Sequence, residues 1–303
     1  MVLSMSFEYY GKCKEALDHY GRVFGGTRKV FRTYHDMPMA EMFGINGERL
    51  DLIYQSSLEV RLGKQALRLE MADSMLVAMQ NQGYSEMKPL SPLFCIKSDD
   101  AQLKISLAAG LGTHQKERLD RPSSPRHEQR PATGQEDVYG LSWAFEGGME
   151  GLFICFEFEG CCRQVIEYYQ EAFGIKAESV VTYADSPFAD QVKDASFIFE
   201  SCLRFPNGDA SYGVILYDSL ESAKEGVNKY NPKDLLFYKN YNPILNLRND
   251  DGQFLEQSFQ RLSNGAKVNK PLEKGDDGIH GSIIDRHGIC WNFYDQYGIG
   301  GAK

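Results

Sequence analysis

Apolar and polar residues alternate with the period of a β-strand at the start of the chain. Residues 3–8 read Leu-Ser-Met-Ser-Phe-Glu, which places three apolar side chains on one face and two serines and a glutamate on the other. The pattern then changes to a helical one over 13–24, where an apolar stripe recurs every three to four residues. Gly25 and Gly26 follow the stripe and predict the end of that helix.

The same two periodicities predict the remaining elements. In the first half of the chain we expect strands at 28–34, 49–58, 65–71 and 92–97 and helices at 73–82 and 101–109. In the second half we expect strands at 152–158, 177–183, 195–205, 210–217, 243–248, 280–285 and 289–294 and helices at 161–173, 219–230 and 252–263. We interpret this order as strand–helix–strand–strand–strand, repeated four times, which is typical of half-barrel sheets with one helix outside each unit.

The chain repeats itself at a period of about half its length. Residues 11–25 match residues 160–174 at an offset of 149. Residues 92–103 match residues 243–254 at an offset of 151. Self-similarity at one fixed period indicates that homologous modules follow each other along the chain.

We therefore predict two modules, 1–148 and 149–303. The stretch at about 113–136 contains three prolines and has no apolar periodicity. It is typical of a polar, solvent-exposed insertion in the first module.

Composition and charge exclude several classes of function. The chain has 303 residues and a formal net charge of −9, which would repel a phosphate backbone, so we expect no nucleic-acid partner. No apolar run approaches the roughly 18 residues that span a bilayer, and no basic-then-apolar signal opens the chain, so we expect a cytoplasmic protein without membrane contact. The seven cysteines lack a Cys-x-x-Cys pair, and we interpret them as buried packing residues in a reducing compartment.

Four motifs carry a resemblance to a known superfamily. They are Gly-x-Cys-x-x-Ala-Leu-x-x-Tyr-x-x-Val-Phe-Gly-Gly at 11–26, Tyr-x-Asp-Met-Pro at 34–38, Leu-Ser-Asn-Gly at 262–265 and His-Gly-Ser-Ile-Ile-Asp-Arg-His-Gly-Ile-Cys-Trp-Asn at 280–292. With the element order, these segments resemble the vicinal oxygen chelate superfamily of glyoxalase I, extradiol dioxygenases and bleomycin resistance proteins, and within it the PhnB-like branch. The resemblance implies an α+β fold of paired βαβββ modules, glyoxalase-like half-barrels, in two tandem copies.

The first module departs from this pattern near its end. Residues 139–148 match 280–288 only loosely, at an offset of 141. We therefore expect the last strand of the first module to be missing or merged into the strand at 152–158.

The resemblance also implies where a metal would lie. Enzymes of the superfamily hold a divalent metal in a sheet-lined cup, on His and Glu ligands from the first and last strands of the units. Simple alignment places Met5, Ile154 and Asn292 at those positions. Because Met and Ile do not bind hard cations and a neutral Asn binds them weakly, we expect no metal and no cofactor.

The alternation of side chains along the first strand of each module leaves an alternative open, in which the polar faces of these strands line the cup. The candidate ligand-binding residues are then Ser6, Glu8, Cys155, Glu157, His280, Trp291 and Asn292. Glu8 and Glu157 are equivalent by the repeat and, with Asn292, could hold a metal, or one could act as a base. The simpler interpretation is that both glutamates are solvated strand-end charges, that His280 lies at a rim and that Trp291 belongs to the core.

Three functions follow, and no catalytic residue can be named from the sequence. The first is a protein that binds a small molecule in a metal-free, sheet-lined cup. The second is a divalent-metal-dependent lyase, isomerase or dioxygenase with the nonstandard ligands Glu8, Glu157 and His280. The third is a noncatalytic regulatory or interaction module that uses 113–136 as a contact arm. Whether the protein is an enzyme stays open, and either a monomer or a homodimer fits the duplication.

Overall fold

The computed structural model describes residues 1–9, 11–63, 65–79, 93–112, 135–147, 151–207, 210–228, 244–275 and 278–295. The strands in these ranges are β1 (Val2–Tyr9), β2 (Thr27–Thr33), β3 (Ile53–Leu62), β4 (Gln65–Asp73), β5 (Leu93–Lys97), β6 (Gln135–Glu136), β7 (Ser142–Glu146), β8 (Gly151–Phe158), β9 (Ala177–Thr182), β10 (Ile198–Asn207), β11 (Ala210–Asp218), β12 (Ile244–Arg248), β13 (Lys267–Gly275), β14 (Gly278–Ile284) and β15 (Cys290–Tyr294). The α-helices are α1 (Cys13–Phe24), α2 (Met75–Ala78), α3 (Ala101–Leu111), α4 (Cys162–Phe173), α5 (Leu220–Glu225) and α6 (Gly252–Leu262). Within the described part of the chain, no helix has the length and apolar character needed to cross a membrane.

Helices α1 and α4 form where the apolar stripe predicts them, and each ends at a glycine. Ala16, Leu17 and Tyr20 of α1 are fully buried. Gly25 ends α1 with φ of 61°, and Gly174 ends α4 with φ of 63°. Glycine adopts this left-handed conformation without a steric penalty, so both helices end one residue after their last apolar position.

The strands form one continuous sheet of 15 strands that divides into two parts. The first half-sheet has the order β2-β3-β4-β1-β12-β15-β14-β13, and β1 lies antiparallel to β12 at its centre. The second half-sheet has the order β9-β10-β11-β8-β5-β7-β6, and β8 lies antiparallel to β5 at its centre. A short parallel contact between Ser211 of β11 and Gln65 of β4 joins the two parts.

Each half-sheet therefore combines segments from both copies of the sequence repeat. The first half-sheet pairs the βαβββ unit at the start of the chain with the unit at its end. The second half-sheet pairs the two units in the middle of the chain. The α+β class is confirmed, and the order strand–helix–strand–strand–strand is present in the first, third and fourth units. In the second unit the described residues include two strands after the helix, β6 and β7. The module boundary at 148 and 149 stays a prediction.

Two buried aspartates hold equivalent positions in the two halves. Asp137 Oδ2 accepts hydrogen bonds from the Tyr20 hydroxyl at 2.8 Å and from Trp143 Nε1 at 2.7 Å. Asp285 Oδ2 accepts from the Tyr169 hydroxyl at 2.7 Å and from Trp291 Nε1 at 2.9 Å. Burial raises the pKa of both carboxyls, and these hydrogen bonds act in the opposite direction.

This pair corrects the expected end of the first module. Trp143 corresponds to Trp291 at an offset of 148, not 141. The last strand of the first module is present as β7, which lies parallel to β5 just as β15 lies parallel to β12. β8 is a separate strand, so the expected merger is wrong.

Other differences from the predicted elements have local causes. The strand expected at 49–58 begins only at Ile53, because residues 47–51 form a 3₁₀ turn. β13 was not predicted, since its residues are largely exposed and charged rather than alternating, as is common in edge strands. The helix expected at 219–230 is α5. Residues 113–134 of the expected insertion lie outside the described residues.

Candidate functional site

The open face of the first half-sheet, opposite the helices, carries a network centred on Glu70. We name this face the polar cup. Ser4 Oγ donates to Glu70 Oε1 at 2.8 Å, Asn246 Nδ2 donates to Oε2 at 3.1 Å, and Arg248 Nη2 donates to Oε1 at 3.1 Å. These donors come from β1 and β12, while Glu70 comes from β4, so the network exists only because the half-sheet joins both ends of the chain.

Two asparagines extend the network across the sheet. Asn246 and Asn292 are paired on the parallel strands β12 and β15, and Asn292 Nδ2 donates to Asn246 Oδ1 at 3.1 Å. Asn246 Nδ2 also donates to Ser6 Oγ at 2.5 Å. The predicted candidates Ser6 and Asn292 are thus brought into one site, on either side of Asn246.

Two guanidinium groups flank the single carboxylate of Glu70. The side chains of Arg68 and Arg248 are 17% and 13% exposed. Arg248 lies over the ring of Tyr294 at 4.9 Å, and Arg68 Nη2 donates to Ser57 Oγ at 3.2 Å. The buried Nε of Arg68 has no hydrogen-bond acceptor among the described residues. Arg68, Arg248 and Glu70 together carry one net positive charge, which favours the binding of an anion.

The other candidates of the first half-sheet lie at its margins or behind it. Glu8 is exposed near the end of β1. His280 is partly exposed on β14, opposite Tyr294 of β15, so it shares the open face. Trp291 is 1% exposed and bonds to Asp285, so it belongs to the helix-side core and does not line the cup.

The simple alignment of metal-ligand positions disagrees with the faces on which the side chains of β1 and β8 lie. Met5 and Ile154 are 0% and 1% exposed and belong to the core that includes the helices. Because side chains alternate along a strand, their neighbours Ser6 and Cys155 face the open side. The expectation that Met5 and Ile154 occupy ligand positions is wrong, and the alternative parity is the correct one.

Glu8 and Glu157 do not meet in one site. Glu8 is on β1 and Glu157 is on β8, and strands β4 and β11 lie between them in the sheet. Glu157 and Cys155 belong to the open face of the second half-sheet, which we name the apolar cup. A metal site built from Glu8, Glu157 and Asn292 is therefore excluded by topology.

The floor of the apolar cup is made of thiols, aliphatic groups and aromatic rings. Its buried residues are Cys95, Ala144, Phe153, Cys155, Cys202, Ile215 and Tyr217. Burial raises the pKa of Cys202 to about 12. A hydrogen bond with Cys155 and burial both raise the pKa of Cys95. These thiols are therefore neutral and weakly nucleophilic at physiological pH.

A group of charges lies at the mouth of the apolar cup. Lys97 Nζ lies 2.5 Å from Glu200 Oε2 and 3.4 Å from Glu146 Oε2. Burial alone would lower the pKa of Lys97, but the hydrogen bond and charge of Glu200, with the charge of Glu146, raise it overall. Lys97 is thus held as an ammonium between two carboxylates.

The two cups carry different residues at six matching floor positions, although Arg248 and Lys97 place a cation at the same register in both. Backbone pairing relates each residue of one cup to a residue at the same register in the other, as Ser6 opposite Glu70 on β1 and β4 matches Cys155 opposite Ile215 on β8 and β11. In the order polar cup then apolar cup, the pairs are Ser4 and Phe153, Ser6 and Cys155, Ser57 and Cys202, Glu70 and Ile215, Asn246 and Cys95, and Asn292 and Ala144. One backbone plan therefore carries a hydrogen-bonding floor in one place and an apolar floor in the other.

Sequence reasoning missed Glu70, Arg68 and Arg248. A signal was available, because β4 alternates apolar Leu67, Leu69 and Met71 with charged residues. Arg68 and Glu70 are two charged residues on the open face of a strand whose first and last residues are buried. Such a pair indicates a polar site on that face. Arg248 carried no such signal, since its partner Glu70 is 178 residues away.

The donors of the polar cup do not fit a divalent cation. Among the described residues of the Glu70 network, Glu70 is the only carboxylate, and its oxygens already accept from Ser4, Asn246 and Arg248. A bound cation would lie beside a guanidinium, where charge repulsion opposes it. Among the residues that the structure describes, no group of three or more His, Cys, Asp or Glu side chains is placed to hold a metal ion.

Comparisons with known proteins support the architecture. No protein-family model matches the chain, and no curated protein matches it. Glyoxalase I from Zea mays has 14% sequence identity and a TM-score of 0.56, covering 97% of this chain and 92% of its own. The PhnB protein from Bacillus cereus has 14% identity and a TM-score of 0.32, covering 46% of this chain and 95% of its own. At this identity the match shows the fold alone: the chain has the paired βαβββ fold of glyoxalase I, which is the fold that its motifs predicted.

Proposed function

We propose that this protein binds a small, negatively charged molecule in the polar cup without a metal ion. The observation that carries the proposal is the Glu70 network, in which Ser4, Asn246 and Arg248 donate hydrogen bonds to one carboxylate and a second arginine, Arg68, lies 3.9 Å from it. In a metal-dependent cup, the positive charge that holds a ligand comes from the cation. Here Arg68 and Arg248 supply it instead.

The chemistry of the ligand follows from the groups that face it. Guanidinium groups bind carboxylates and other planar oxyanions through paired N–H donors. Arg248 already bonds to Glu70, and Arg68 forms an ion pair with it, so an incoming anion shares these two guanidinium groups with Glu70. Asn292 and His280 face the same side, where a polar group elsewhere on the ligand would lie close to them. A small carboxylate with one further polar group matches this set.

The alternative of metal-dependent catalysis has less support. Its expected ligands Glu8, Glu157 and His280 lie in different parts of the sheet, and the donor set that does converge carries two guanidiniums. The third possibility, a noncatalytic contact arm, rests on 113–136 and stays a prediction. The PhnB-like branch, the cytoplasmic location and the choice between monomer and homodimer also stay predictions.

The test is a titration of the full chain, purified without chelator, with small carboxylates. Calorimetry with lactate, malonate and benzoate should reveal saturable binding of at least one acid. We expect binding to weaken at least tenfold in Arg248→Met, which keeps the length of the side chain but removes its charge.

Arg163→Met is the matched control, because Arg163 is exposed on α4 and should leave affinity unchanged. Elemental analysis of the same sample gives a second readout. Stoichiometric transition metal that is lost in Glu70→Gln would contradict the proposal and favour the metal-dependent alternative. Equal carboxylate affinity in wild type and Arg248→Met would contradict it independently.

A further inference from the structure

The apolar cup contains a cavity that the proposed function does not use. Its volume is about 250 Å³, below the roughly 300–1,000 Å³ of typical drug-sized ligand pockets. The lining residues are Lys97, Gly147, Phe153, Ser179, Glu200, Cys202 and Ile215. The cavity belongs to the second half-sheet, so it is separate from the Glu70 network.

The floor of this cavity is shaped by one aromatic ring between two glycines. Phe153 occupies the position that Ser4 holds in the polar cup. A Cβ atom at Gly213 would lie 2.4 Å from the ring, and one at Gly151 would lie 2.7 Å from it. The ring thus occupies the space that side chains would fill at Gly151 of its own strand and at Gly213 of the neighbouring strand β11. It lies beside Cys202 and Ile215, and the guanidinium of Arg204 lies 5.3 Å from its centroid.

The charged residues at the mouth of the cavity favour some ligands over others. Lys97 contributes one positive charge, and Glu146 and Glu200 contribute two negative charges. Arg204, which lies over the Phe153 ring, and its ion-pair partner Glu178 add one charge of each sign, so the group keeps one net negative charge. An anion meets net repulsion there, and a cation must compete with Lys97 for the same carboxylates. A neutral hydroxyl or carbonyl avoids both penalties and finds a donor in the ammonium and an acceptor in Glu200.

We propose that the apolar cup is a second binding site, specific for an uncharged, single-ring molecule with one hydrogen-bonding group. Its ligand class differs from that of the polar cup in charge and polarity. One chain then holds two chemically distinct sites on one duplicated backbone plan.

Methyl NMR of the full chain tests this site directly, with benzyl alcohol as the probe and benzoate and benzylamine as charged analogues of the same size. We expect benzyl alcohol to shift the Ile215 methyl signal in a saturable way. The signal of Ile154 should not move, because Ile154 is on β8 but faces the helix-side core. Both charged analogues should bind at least tenfold more weakly at Ile215.

Two variants on β9 provide a matched pair that spares the core. Ser179→Trp places a bulky ring at the cavity and should weaken benzyl alcohol binding at least tenfold. Val180→Trp adds the same bulk on the opposite face of the strand, where Val180 is 45% exposed, and should leave binding unchanged. Arg248→Met should also leave it unchanged, which separates this site from the polar cup.

Three results would overturn the proposal. They are an unmoved Ile215 signal up to the solubility limit of the probe, equal affinity for benzoate and benzyl alcohol at Ile215, and equal weakening by the two tryptophan variants.

Discussion

The polar cup and the apolar cup share their backbone plan but not their chemistry. Both are built from a first strand, a parallel last strand and the antiparallel partner contributed by another unit. Glu70 at the centre of one corresponds to Ile215 at the centre of the other. The helix-side faces, in contrast, remain alike, as the two Tyr–Asp–Trp hydrogen-bond sets show. The two halves therefore share the buried set on the helix side of each sheet and carry different residues on most of the open face.

The largest expected effect tests the helix-side faces, which are alike in the two halves. Asp285→Ala leaves the hydroxyl of Tyr169, the indole N–H of Trp291 and the backbone N–H groups of residues 287 and 289 without an acceptor. At about 1–3 kcal/mol for each buried donor, we expect a loss of about 5 kcal/mol in unfolding free energy. Urea denaturation measures this loss.

Asp137→Ala is the matched change in the other half and should give a loss within about 1 kcal/mol of the first, the usual context scatter. A loss in only one of the two variants would break the claim that both halves share one scaffold. Asp285→Asn keeps the shape and part of the acceptor capacity, so it should fall between wild type and Asp285→Ala.

The second prediction concerns the open faces of the two half-sheets, where the cups carry different residues. Glu70→Leu removes the one carboxylate between Arg68 and Arg248, and breaking a buried ion pair in this way costs about 3–5 kcal/mol. Ile215→Leu, at the corresponding position of the apolar cup, should cost less than about 1.5 kcal/mol. Chemical denaturation of both variants gives the comparison, and similar losses would show that the floor of the polar cup is not organised by charge.

The third prediction uses a pH difference between the halves. His287 is 5% exposed and occupies the position of Tyr139 in the first half. Burial, with the charge of Arg286, lowers the pKa of His287 from 6.5 to about 4, and its Nε2 accepts from Arg286 Nε at 3.2 Å. Between pH 6.5 and pH 4 the unfolded chain therefore binds the proton more readily than the folded chain.

The sign of the effect follows from that difference. Unfolding free energy should fall as pH drops through this window, by up to about 3 kcal/mol at pH 4 from this residue. His287→Tyr, which restores the residue of the first half, should remove that part of the pH dependence. Urea denaturation at several pH values from 4 to 7 compares the two proteins, and parallel curves would contradict the assignment.

The smallest expected effect exchanges one floor residue between the cups. Cys202→Ser buries a hydroxyl in an apolar floor and should cost about 1–2 kcal/mol. Ser57→Cys removes the hydroxyl that accepts from Arg68 and should cost about 1 kcal/mol. Thermal denaturation resolves both, and a stabilising Cys202→Ser would indicate that the second floor is more polar than its residues suggest.

The amino-acid sequence by itself determined the repeat, the element types and the fold. Periodicity placed α1, α4 and most strands, because each element buries one face and its apolar residues recur with the period of that element. Where this signal fails, as in the exposed edge strand β13, the prediction failed too. The motifs at 11–26 and 280–292 were sufficient to predict the superfamily fold, which the architecture then confirmed.

Only the tertiary structure decided which units share a cup. The pairing of β1 with β12 brings Glu70 and Arg248 together across 178 residues of sequence, and no local pattern encodes such a contact. The same pairing separated Glu8 from Glu157, which the repeat had made equivalent. The alternation of side chains along a strand shows which of them face the open side of a sheet. The neighbours of such a side chain depend on which strands pair. Long-range packing of the helices against the sheet sets that pairing.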